Sequence, residues 1–297
     1  MDLASRWLAN LGKLRVSRSQ GGAPHKPLLL LVVLEMIEDG ELPSNDLKLT
    51  PELAFRFSQF GTIVVHRRSQ RLDIRLPFYH LSSDKVWEPF TRDDTRAHDP
   101  RSTYYVKLNH VFYELLQSSA FRTSARVALI KSYFLPAEQV ALANLVNLST
   151  DELERTLLIE ECDEASVEKV RNIRFRLDIV AAYNYTCALT GYRVTTIDGA
   201  TIVDAAHIHQ FSDSRNDDPR NGIALCKNAH WMFDQGLWSI DKDYRVLVAD
   251  SAFDEETRDQ KSLRDFQGMQ IALPSNPKLW PDAKHLAWHR KNRFIDY

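Results

Sequence analysis

TIVDAAHIHQFSDSRNDDPRNGIALCKNAHWMFDQGLWSI, residues 201–240, is the stretch that decides the fold of this chain. Thr201 to His207 reads as a short strand that ends on a histidine. A polar loop follows, carrying Asp213, Asn216, Asp217, Asp218 and Pro219, and it closes at Asn221-Gly222, an ordinary turn signal. Ile223 to Leu225 forms a second short strand, which leads into a helix over Asn228 to Asp234 bearing His230. Two strands and a helix in this order bring His207, Asn221 and His230 within reach of one another.

Those residue types match the needs of phosphodiester hydrolysis. A base must take a proton from water, and a neutral imidazole, with a reference pKa of about 6.5, suits that task near neutral pH. A divalent cation must stabilise charge on the phosphate and the leaving oxygen. An amide or carbonyl on the opposing strand must orient the base. These roles give His207 as general base, His230 as metal ligand, and Asn221 as either a ligand or a geometric support. A lone histidine on a strand end is usually a satisfied core residue, but here three polar residues share one frame.

His207, Asn221 and His230, in the words DAAHI (204–208), RNGIAL (220–225) and HWMFDQGL (230–237), resemble the HNH motif of ββα-metal endonucleases. CALTG (187–191) and the tail LAWHRKNRF (286–294) extend the similarity over roughly 171–294. The resemblance implies a metal-dependent DNA endonuclease using Mg²⁺ or Mn²⁺. Many such enzymes carry Asp or His just before the base histidine, and here that place is Ala206. Asp204, three residues before His207, is the replacement carboxylate this reading offers, with water as the other source of coordination. The four-Cys zinc site of some relatives is out of reach for a chain with three cysteines. Cys187 and Cys226 read as small buried hydrophobes. His285 and His289 share a helix face but lack a zinc-protease glutamate, so they read as packing or phosphate contacts.

Outward from the motif, residues 28–39 (LLLLVVLEMIED) read as a buried helix entered through Pro27. Thr62 to Val65 and Leu72 to Leu76 read as short strands, PFYHL and KVWEPF as a strand pair, and residues 104–118 as a helix. Acids from Asp151 to Glu168 mark a helical connector with a hinge near Asn147, and a helix is expected from Arg174 to Tyr183. The expected class is α+β. A mixed α/β DNA-recognition domain, 1–136, is joined by an acidic helical linker, 137–170, to an HNH domain, 171–297. Residues 1–136 carry 19 Lys and Arg against 14 Asp and Glu, while the remainder is net acidic. That asymmetry suits one part that grips phosphate and another that holds a cation.

APHKPLLLLVVLE (23–35) and RLPFYHLSSDKVWEP (75–89) resemble the recognition domain of sulfur-recognising, modification-dependent restriction enzymes. The resemblance implies binding of phosphorothioate DNA, with His25 and Lys26 near the backbone and Pro77 and His80 at the wall of a sulfur pocket. Leu76 stands where that pattern has an aromatic residue, and His80 where it has a small one. Arg67, Arg68, Arg71, Arg75 and Arg101 are available for phosphate contacts. The expected partner is modified double-stranded DNA. The alternatives are an antiphage or toxin effector whose front domain senses another signal, and a non-catalytic DNA-binding regulator. No apolar run is long enough to span a bilayer, and an odd cysteine count argues against a disulfide framework, so a reducing cytoplasm is expected. One strand cut per active site makes a homodimer the expected route to a double-strand break.

Overall fold

The computed structural model describes residues 2–16, 23–64, 72–148, 164–249 and 251–295. Arg67, Arg68, Arg71 and the acidic positions from Asp151 to Asp163 lie outside the described residues. The chain separates into two compact units: 1–173 with 197–200, and 174–196 with 201–297. No helix among the described residues is long and apolar enough to cross a membrane.

The first unit is built around one helix. Its helices are α1 (Leu3–Leu11), α2 (His25–Glu38), α3 (Pro51–Gly61), α4 (Arg75–His80), α5 (His110–Leu116), α6 (Ser119–Tyr133) and α7 (Pro136–Leu145). Helix α2 is apolar all round, so it can only be stable in a core. Leu28 to Leu34 are all buried, and α3, α4 and α6 pack on it. Its two acids find cations on α6: Glu35 lies 2.6 Å from Arg126, and Glu38 2.6 Å from Arg122. Beside it sits an antiparallel sheet of β1 (Asp46–Lys48), β2 (Trp87–Phe90) and β3 (Tyr105–Leu108), in the order β1-β3-β2.

Several local expectations are corrected here. Thr62 to Val64 continue from the end of α3 as a turn. Residues 75–80, expected to be extended, form α4, and Pro77 falls in its first turn, where a missing N–H costs nothing. KVWEPF supplies β2, but β2 pairs with β3, not with PFYHL. The expected helix over 104–118 is divided: residues 105–108 are the central strand, and Asn109 then caps α5 by accepting from the Phe112 N–H. A four-residue apolar run carries no periodicity that separates strand from helix, and the ladder partners on both sides decide it.

Helix α8 (Glu164–Ala182) runs from the first unit into the second, which takes its residues from Arg174 onward. The hairpin of β4 (Val203–His207) and β5 (Gly222–Cys226) follows, with a short turn of helix, α9 (Phe211–Ser214), in its connecting loop. Next come α10 (Lys227–Asp234), the antiparallel pair β6 (Trp238–Ile240) and β7 (Val246–Val248), and α11 (Ala283–Asn292). Helix α10 buries Ala229 and Phe233, and the Trp238 indole N–H donates to the Ala229 carbonyl at 3.0 Å. This is the ββα arrangement.

Candidate active site

His207 ends β4 opposite Gly222 in the hairpin register. Its ring lies flat on Phe175 of α8, with centroids 3.9 Å apart and planes 4° from parallel. Its Nε2 is 2.8 Å from Oδ1 of Asp217. An ionised carboxylate only accepts, so this contact places a proton on Nε2. Asp217 stood in the sequence as one of several loop acids, with nothing to single it out.

Gly222 explains the close approach of α8. A Cβ at this position would sit 2.9 Å from the Phe175 ring and closer still to Ile179. Its φ of −121° is ordinary extended backbone, so glycine is required for space and not for a turn. The preceding turn is set by Asp218, which accepts from the Arg220 N–H at 2.9 Å. The Arg220 guanidinium, 2.6 Å away, holds the Asp218 carboxyl down at about 2.

Asn221 is fully buried, and both hydrogens and the oxygen of its amide bond to the loop. Its Nδ2 donates to the carbonyls of His209 and Asn216, each at 2.9 Å. Its Oδ1 accepts from the His209 N–H at 2.8 Å. Of the two roles the sequence leaves open, these contacts show the geometric one: Asn221 pins the loop that carries Asp217. Oδ1 of Asp204 is 3.2 Å from Nε of Arg176. The carboxylate that meets His207 is Asp217.

His230 is half-buried on α10, with Nε2 3.4 Å from Oδ2 of Asp234, one helical turn on. Burial raises the Asp234 carboxyl above its ordinary range, against the lowering effect of His230 and Arg293. Among the described residues no three His, Cys, Asp or Glu side chains form a group able to hold a metal ion. Cys187 is fully buried and Cys226 half-buried, and both are free thiols.

The two C-terminal histidines are packed side chains. Nε2 of His285 faces the Asn216 amide at 3.4 Å, while His209 stacks on Trp288 with centroids 3.9 Å apart. His289 lies 3.7 Å above the Phe233 ring. Its Nε2–H donates to the Phe233 carbonyl at 3.2 Å, and its Nδ1 accepts from Ser239 at 2.8 Å. Burial pushes His289 down to about 4. The unfolded chain takes up this proton near pH 6.5 and the folded chain only near 4, so stability is whole above pH 6.5 and is lost as pH falls between those values. The loss reaches about 3 kcal/mol at the lower end. Thermal unfolding of the parent and of His289→Gln between pH 7.5 and 4.5 checks this; the variant should be less stable at pH 7.5 and show a flatter acid dependence.

In the first unit, Arg75, Pro77 and His80 share α4, with Pro77 buried and His80 exposed at its end. Arg75 lies 3.4 Å from Asp73, and Arg101 is exposed on a separate loop. His25 and Lys26 open α2. Nζ of Lys26 is held 2.6 Å from Asp84 and 3.2 Å from Ser83 Oγ, with only 12% of the lysine side chain exposed. Its charge is spent inside the unit.

Residues 187–241 match the family model described as HNH endonuclease, and residues 4–151 match that described as ScoMcrA-like, DNA sulfur-binding domain. A solved structure described as a modification-dependent TagI restriction endonuclease is 20% identical, over 40% of this chain and 36% of that one, with a TM-score of 0.30. The shared part is thus little more than a third of that chain. No curated protein matches the chain. The two matches give the chain an HNH endonuclease domain over residues 187–241 and a ScoMcrA-like DNA sulfur-binding domain over residues 4–151.

Proposed function

We propose that this protein is a modification-dependent restriction endonuclease that binds phosphorothioate-bearing double-stranded DNA through residues 4–151 and hydrolyses phosphodiester bonds at His207. The observation that carries the hydrolytic reading is the His207–Asp217 contact at 2.8 Å, beneath the Phe175 ring. Asp217 and Phe175 hold the imidazole in one plane, and on this reading the ring takes a proton from water. Asn221 keeps Asp217 in place through the loop backbone.

The donor set fits a cation held by few protein atoms. His230 and Asp234 offer an imidazole and a carboxylate on one helix, and water and phosphate oxygens would complete the shell, as is usual for Mg²⁺. Such an ion, when bound, supplies charge stabilisation at the phosphate and the leaving oxygen. On the recognition side, sulfur is larger and less strongly hydrated than oxygen, so an apolar wall such as Pro77 favours it while nearby cations hold the phosphate. This reading assigns that task to His80, Arg75 and Arg101. Double-strand breaks then require two copies of the chain.

The test is digestion of matched phosphorothioate, methylated and plain duplexes with Mg²⁺, Mn²⁺ or EDTA. Cutting of the phosphorothioate duplex alone, abolished by EDTA, is the expected result. Equal cutting of all three removes the modification reading, and undiminished cutting in EDTA removes the cation.

A further inference from the structure

Helix α10 carries a second feature beside His230. Ala229 and Phe233 face the core, and Trp231, two residues from each, falls on the far side of the helix. Trp231 is 61% exposed, more than any other large apolar side chain among the described residues, so packing does not account for it. It borders a cavity of about 830 Å³ that Tyr192, itself 55% exposed, also lines. Met232, Leu263 and Phe266 add apolar wall, and Lys227 and Lys261 supply its cations.

The sign of the wall is positive. Its one carboxylate, Glu255, is consumed internally: it accepts from the Leu263 N–H at 2.7 and 2.9 Å and lies 3.9 Å from Arg264. Lys227 has no carboxylate partner among the described residues, and the Lys261 ammonium sits 5.5 Å over the Phe266 ring. Two exposed aromatic faces beside two ammonium groups are a combination that binds single-stranded nucleic acid, the rings stacking on bases and the cations tracking phosphates.

We propose that this cavity takes an unstacked nucleobase of the DNA strand beside the bond being cut, sandwiched by Trp231 and Tyr192, with Lys227 and Lys261 on its flanking phosphates. The proposal rests on the nuclease reading of His207 and His230, because Trp231 directly follows His230 on α10. A base held there would fix the register of the strand against the site.

Photocrosslinking tests it in the full chain. The His207→Ala variant is bound to a duplex with a short central gap of thymidines, one replaced by 5-iodouridine, and irradiated. Adducts on Trp231 or Tyr192 are expected. In the otherwise unchanged chain, Trp231→Ala should lower kcat/KM for DNA by about tenfold, mainly through KM, while Trp231→Phe stays within about twofold, as stacking on any aromatic face requires. Because Trp231 is exposed, the melting temperature should not move. Adducts confined to other peptides, or Trp231→Ala cutting within twofold of the parent, overturn the proposal. Persistent cutting by His207→Ala would instead strike the nuclease assignment and leave the crosslink readout standing.

Discussion

His207→Ala lowers the rate of DNA cleavage by about 10²- to 10⁴-fold, the usual worth of a positioned general base. The loss should fall on kcat, with binding of modified duplex unchanged, because the recognition domain is a separate unit. Asp217→Asn should lose about 10- to 100-fold, as expected for a carboxylate that orients a working imidazole. It leaves the Phe175 stack intact, so the ring stays in its plane while its tautomer is no longer imposed. A gel assay of nicked and linear product against time reads both variants. If His207→Ala cuts at the parent rate, another residue supplies the base.

Asn221→Ala should destabilise the second unit by about 3–6 kcal/mol. The substitution strands two carbonyls and one N–H in a buried loop, at about 1–3 kcal/mol for each unsatisfied group. Asn221→Asp separates the two roles weighed for this residue. A ligand would tolerate or improve with aspartate. A loop pin would not, because the second carboxylate oxygen would face the His209 and Asn216 carbonyls that now accept the amide hydrogens. Unfolding of both variants below the parent, by similar margins, is the expected outcome, read by chemical denaturation. Rescue of cutting by Asn221→Asp would return the residue to the cation.

The elements around the motif were legible because they are short and tightly punctuated. β4, β5 and α10 form within two residues of where the pattern places them. Helix α2 was legible from its unbroken apolar run. Central strand β3 was not, since a four-residue stretch becomes a strand only when β1 and β2 lie on either side of it. Within the site, His207 and His230 could be read from their residue types and frame. The part of Asp217 could not, because Asp213, Asp217 and Asp218 are alike until the loop closes around Asn221. Asn221-Gly222 carried two messages that a turn signal concealed, a buried amide and a space reserved for Phe175 and Ile179.

Ala206 has zero exposure and stands opposite Ile223, itself sealed from solvent. Grafting aspartate there to imitate better-endowed relatives would bury an anion in an apolar layer and would not furnish the missing donor. On the proposed reading, the hairpin's interior packing keeps this position from donating to an ion, and a stronger cation site would have to be built from the exposed side of α10.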